Sequence, residues 1–297
     1  MMTVFLLIKR NVRLFFKDIG MLLTSLITPL ILLVLYATFL ADIYRNSFLG
    51  MLGGVSLPEE VINGLVGGQL MSSLLAVSCV TVAFCSNMLM VQDKVTGARR
   101  DLLMTPVRRS SLALGYYVAT LGVTLTIALV AMGASLLYIA CIGFYLSLGD
   151  VLLLLLDVLL LVMLGTALSS IVNYFLSTQG QISAVGSIVS SCYGFISGAY
   201  MPISGFSDGL RDVISFLPGT YATALMRNHA MAGAFRKMAE LGVPDAALDA
   251  MRDSVDCNIY FFGTAVAPWV MYLVLGGAAL LCLFVFILIQ RFDRRRN

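Results

Sequence analysis

Six apolar stretches of roughly 20 residues or more recur along the chain, at 21–41, 65–91, 112–140, 151–173, 183–201 and 268–290. At about 1.5 Å per residue, such a stretch covers the roughly 30 Å hydrocarbon core of a bilayer. Hydrophobic residues make up 60% of the 297-residue chain and mean hydropathy is +0.95. That is more apolar surface than a water-soluble domain of this length needs, since about half is the usual share. Lipid offers the backbone no hydrogen-bond partner, so each stretch must be a helix. The expectation is an all-α polytopic membrane protein with six transmembrane helices.

Lys and Arg set its orientation. Lys9, Arg10, Arg13 and Lys17 precede the first stretch; Lys94, Arg99, Arg100, Arg108 and Arg109 follow the second; Arg291 and three arginines at 294–296 follow the sixth. The short segments on the other side hold only Arg45, beside Asp42, Glu59 and Glu60. Both termini and segment 92–111 are therefore expected in the cytoplasm of a plasma (inner) membrane protein, and segment 202–267 outside. The net charge of +3 expresses this topology and does not mark a nucleic-acid-binding surface.

Residues 1–20 read as a separate amphipathic unit, with the six-span bundle in 21–297. At 100° per residue Phe5, Ile8, Val12, Phe15, Phe16 and Ile19 share one arc, with Arg10, Arg13, Lys17 and Asp18 opposite. This is the pattern of a helix lying in the membrane interface; a basic extension of the first span is the alternative.

Segment 92–111 carries five Lys/Arg and two Asp in a chain that is only 12% charged. A helix through 93–104 is expected to end before Pro106, and Ser110 and Ser111 can cap the third span. Gly97 is costly in mid-helix, and close approach of another backbone would account for it. The residues themselves allow either a basic loop that sets topology or a docking surface. In the fourth span, Asp157 is either a buried functional carboxylate or, as structural use would have it, a hydrogen-bond acceptor. The fifth span is rich in small residues, including Ser187, Ser190, Ser191 and Gly194, and marks helix packing or the lining of a path. Segment 202–267 is too long to lack structure: helices are expected at 207–217, 221–238 and 244–254, lying on or re-entering the outer leaflet. Cys141 and Cys257 could pair if geometry allows.

No H-E-x-x-H, G-x-S-x-G or G-x-x-x-x-G-K-[ST] occurs. His229 is the sole histidine and has no cysteine pair near it, so a metal site is not expected. Without a phosphate-cradling loop, an enzyme acting on ATP is disfavoured.

Taken in order, these features resemble the type-2 ATP-binding-cassette exporter permeases. After the second span that family has a glycine, a polar stretch and then Leu-Leu-x-[Ser/Thr]-Pro-Val-x-Arg; here Gly97 leads to Leu102, Leu103, Met104, Thr105, Pro106, Val107, Arg108 and Arg109. After the fifth span it has Gly-x-x-x-Pro, Pro-x-x-Tyr and an arginine; here Gly198 and Pro202, Pro218 and Tyr221, then Arg227. The chain departs from the family at Arg100, where a glutamate is usual, and in the longer stretch 236–256.

The resemblance implies that 92–111 is a coupling helix docked on a separate cytosolic ATPase that holds ATP and Mg. Asp93, Lys94, Gly97, Arg99, Arg100, Asp101, Leu102, Leu103, Pro106, Arg108 and Arg109 would form that docking surface, with Leu102 and Leu103 as apolar anchors. It also implies a second permease copy, identical or homologous, around a path for a small amphipathic or drug-like substrate (or a lipid or polysaccharide), with re-entrant helices after Pro202. An ATP-independent secondary transporter or scaffold is the alternative.

Overall fold

The computed structural model describes residues 2–52, 57–105 and 107–292; Pro106 and the arginines at 294–296 lie outside them. Among the described residues the regular structure is helical apart from a two-stranded antiparallel hairpin, β1 (Tyr260–Phe261) and β2 (Thr264–Ala265). Among the described residues five helical segments are long and apolar enough to cross a membrane: Ile19–Met51, Glu59–Val95, Arg109–Ile142, Leu148–Phe175 and Pro268–Gln290.

The chain begins with α1 (Met2–Lys17) and breaks at Asp18, whose extended backbone and side chain, accepting from Met21 N at 3.1 Å, cap α2 (Ile19–Leu35). A π-helical turn, Tyr36–Leu40, joins α2 to α3 (Ala41–Met51). Helix α4 (Glu59–Val95) is the hub: 94% of its most apolar stretch is buried, against 17–28% for the first, third and last segments. Small residues make this possible. A Cβ on Gly68 would sit 2.7 Å from the carbonyl of Ala230, so only glycine admits the neighbouring helix at that level.

Around α4 stand α6 (Arg109–Ile142), α7 (Leu148–Phe175) and α8 (Gln179–Ile196). Reciprocal capping boxes open α7 (Ser147 with Asp150) and α8 (Thr178 with Gln181), which explains the tight polar turn between them. At 18 residues, about 27 Å long, α8 is the fifth expected span; it ends five residues before 201 and falls outside the five long apolar segments. Its serines and glycines, suited to close contact, also lower its hydropathy.

The segment 202–267 contains α9 (Asp208–Ile214), α10 (Pro218–Glu240), α11 (Asp245–Ser254) and the hairpin, before α12 (Pro268–Phe292). The surprise is α10. It does not lie on a surface; it is driven into the bundle between α4, α7 and α12. Thr220 through Arg227 are all buried.

Two local expectations are corrected. Residues 93–104 are not one helix: α4 runs to Val95, Gly97 takes a left-handed φ of 85°, and α5 (Ala98–Met104) starts afresh. Nothing lies within 4 Å of a Cβ on Gly97, so the glycine serves the positive φ and not a close backbone approach. Ser110 and Ser111 are not caps either, because α6 starts at Arg109 with no side-chain cap.

Candidate functional site

The α5 end of the bundle is built from both faces of segment 92–111. Asp93 is buried and turned inward: Arg10 of α1 grips it with two hydrogen bonds, 2.7 and 3.0 Å, and Tyr116 of α6 donates to it at 2.5 Å. Lys94 also points inward, its Nζ donating to the carbonyls of Asn173 (3.1 Å), Tyr174 (2.5 Å) and Leu176 (3.0 Å). It thus neutralises the negative end of α7. Leu102 and Leu103 pack against Leu7, Met90, Leu112 and Tyr116. The expected apolar anchors are therefore part of the bundle's own core.

What faces outward is different. Arg100, Asp101 and Met104 are exposed, Met104 at 74%, with Val95 and Thr96 beside them and Arg99 half-buried. The short α5 presents a mixed patch of cation, anion and thioether to whatever meets this end. Arg108 is exposed and Arg109 half-buried, but they line a separate groove between α6 and α12.

Helix α1 packs along α6 through Leu7, Asn11 and Phe15, while Phe5, Phe16, Ile19, Arg13 and Lys17 are exposed and Ile8 and Val12 half-buried. The buried line is about a quarter turn away from the expected stripe. The Arg10–Asp93 pair sets this rotation, because Arg10 must face α4. Phe5, Phe16 and Ile19 remain as an outward apolar strip.

A second feature is a groove of about 690 Å³ between α2 and α8, floored by α4. Thr24 and Thr28 face Ser183, Ser187, Ser190 and Ser191 across it; Ile27, Ile31 and Met88 supply apolar walls, and Gln92 and Gln179 stand at the α5 end. Gly194 does not line it but packs against the ring of Tyr200, whose hydroxyl donates to Ser190 O at 3.2 Å.

Asp157 belongs to neither site. It is fully buried between three helices, with His229 Nδ1 of α10 at 2.6 Å and Tyr272 OH of α12 donating at 2.8 Å. Two turns along α7, Asp150 takes a bidentate contact from Arg236 of α10. The seven-residue spacing of Asp150 and Asp157 matches that of His229 and Arg236, so antiparallel α7 and α10 are joined by a two-rung polar ladder. Sequence reasoning missed the pairing, although the matched spacing was the available signal.

The deepest ionic node surrounds Arg227, which is 1% exposed. Its Nη1 donates to Val255 O at 2.9 Å and Asp256 Oδ2 at 3.2 Å, and its Nη2 donates to Gly198 O. Asp256, at a φ of 53°, also accepts from the backbone of Ile203 and Ser204. Tyr221 OH donates to Ser215 O at 2.6 Å, and Pro218 opens α10 at its first turn. Gly198, Pro202, Pro218, Tyr221 and Arg227 are thus one structure: the clamp that folds α9 and α10 back into the bundle. Asp256 was not foreseen. Cys141 is exposed and Cys257 buried, and both are free thiols, so the conceivable disulfide is not formed.

Long apolar helices packed around a buried hub, with a polar groove along one flank and a short separate helix at one end, make this a polytopic helical membrane protein. Residues 55–286, more than three quarters of the chain, match the profile of the ABC-2 family transporter proteins. The chain belongs to that family, whose members are membrane permease components of ABC transporters and work with an ATPase partner. None of the curated proteins compared with it matches the chain.

Proposed function

We propose that the protein is the permease subunit of an ATP-driven exporter in the plasma membrane, with both termini cytoplasmic and six spans, α8 serving as the fifth. ATP and Mg bind a separate cytosolic ATPase that docks on the α5 end. The observation that carries this reading is α5 itself: a seven-residue helix with exposed Arg100, Asp101 and Met104, held between two long helices. Its neighbours tie it to the rest of the molecule. Asp93 links α4 to α1 and α6, and Lys94 links α4 to the end of α7. A push on α5 therefore reaches four helices through short contacts that are at least partly buried, as rigid-body alternating access requires.

The α2–α8 groove is half of the translocation path, closed by a second permease copy. Its alternation of Thr and Ser with Ile and Met suits a small amphipathic substrate, and its volume falls within the roughly 300–1,000 Å³ of small-molecule sites. The outward strip Phe5, Phe16 and Ile19 lies in the lipid interface.

Affinity purification of the tagged chain from native membranes tests the reading. The expected isolate hydrolyses ATP and contains a subunit with a G-x-x-x-x-G-K-[ST] loop. Arg100→Glu with Met104→Asp is expected to release that subunit while leaving thermal stability unchanged. Isolation of a chain that transports with no such subunit would sink the proposal.

A further inference from the structure

We infer that the groove between α6 and α12 is a binding site for an anionic phospholipid of the cytoplasmic leaflet. The inference rests on the orientation proposed above. The groove holds about 900 Å³. Its floor is the stacked pair Tyr117 and Phe286, ring centroids 6.2 Å apart, and its flanks are Leu114 and Ile287, both at least half exposed. Arg108 and Arg109 stand at its α5 end, and among the described residues neither has a carboxylate partner.

Two halves of unlike chemistry meet here. The apolar flanks of α6 and α12 belong to the least buried segments of the bundle, so hydrocarbon, not water, suits them. The two guanidiniums, without a carboxylate partner among the described residues, lie where those helices end, the level of lipid phosphates. Arginine forks match phosphate oxygens bidentately, and the uncapped first turn of α6 adds backbone donors beside them. A soluble anion would leave the apolar half empty, and a zwitterionic lipid would leave the two cations partly uncompensated. An anionic phospholipid satisfies both halves, as basic pockets between helices on the cytoplasmic side do elsewhere. Arg108 and Arg109 are thereby assigned to lipid, which leaves Arg99, Arg100, Asp101 and Met104 for the ATPase.

The test is native mass spectrometry of the delipidated full chain titrated with phosphatidylglycerol or phosphatidylcholine of the same acyl chains. Wild type is expected to retain one phosphatidylglycerol per chain in preference to phosphatidylcholine. Arg108→Gln with Arg109→Gln should weaken that binding about 30-fold, or roughly fivefold per arginine. Leu114→Trp with Ile287→Trp narrows the groove between its flanks, keeps both arginines and should weaken retention strongly. Equal retention of the two lipids overturns the inference. So does undiminished retention in the narrowed-groove variant, which would reduce the arginines to a diffuse surface charge, or displacement by glycerol 3-phosphate at equal concentration, which would make this a simple anion site. Should the tryptophans impair folding, seen as a lowered melting temperature, Ile287→Gln alone replaces them and is expected to weaken binding at least fivefold; unchanged binding also overturns the inference. The assay contains no ATPase, so loss of ATPase docking and loss of lipid binding are read separately.

Discussion

Arg227→Met removes the centre of the clamp that holds α10 inside the bundle. The methionine nearly matches the arginine in length but offers no donor. It abandons the carbonyls of Gly198 and Val255 and leaves Asp256, itself buried, without its cation. Removing one partner of a buried pair costs about 3–5 kcal/mol. Two stranded carbonyls at about 1–3 kcal/mol each give a figure of the same size, and the two accounts overlap instead of adding. At about 2 °C per kcal/mol for a chain this long, the melting temperature should fall by about 6–10 °C. Thermal unfolding in detergent at a fixed scan rate, followed by tryptophan and tyrosine fluorescence, measures it, with scan rate held constant because unfolding of such proteins is commonly irreversible. Arg227→Lys keeps the charge but not the fork and should lose about half as much. Arg227→Met with Asp256→Leu should be less damaging than the sum of the single changes, because the apolar pair strands no charge. A melting temperature for Arg227→Met within 2 °C of wild type would refute the reasoning, as would strict additivity in the double variant.

Asp93→Asn should free α1 from α4, lowering stability by about 1–3 kcal/mol and admitting protease at Lys9, Arg10 and Arg13, which limited trypsin digestion reads directly. Asp157→Leu leaves the half-buried His229 Nδ1 and Tyr272 OH without their carboxylate partner; about 1–3 kcal/mol should be lost, visible in the same melting assay. Gly97→Ala forces an alanine into a left-handed turn costing about 1 kcal/mol, so the fold should survive while ATPase retention on affinity resin weakens. Burial pushes the Cys257 thiol up to about 12, so its thiolate stays scarce as pH rises from 7 to 9, whereas the unfolded thiol ionises in that range. Maleimide should therefore label exposed Cys141 in the native protein and reach Cys257 only after denaturation, a difference that peptide mass mapping resolves, since Cys192 is also exposed and Cys79 and Cys85 are also buried.

The elements that proved legible are those whose cause is local. Five of the six expected spans follow from the length of each apolar run, since lipid leaves the backbone no alternative to a helix. The turn at Thr178 and the break before α6 are carried by residues that act within a few positions of themselves. The rotation of α1 was not legible, because its helix has apolar residues on more than one face and only Asp93, 83 positions from Arg10, selects which is buried. Leu102 and Leu103 looked like anchors for a partner because nothing near them in sequence reveals that Leu7 and Tyr116 already cover them. The depth of α10 was hidden for the same reason. Its mixed composition suggests a surface helix, yet the polar groups that suggest it are matched one by one by Asp150, Asp157 and Asp256.

By itself, the sequence determined that this chain forms long apolar helices suited to a membrane and that segment 92–111 stands apart as a charged insert between two of them. Each of these depends on composition or spacing within one stretch. Tertiary structure alone decided which charges face inward, which stay exposed and that α10 belongs to the core. A buried charge is tolerated only where its counterpart stands within hydrogen-bond reach, and that counterpart is supplied by a helix far away in sequence.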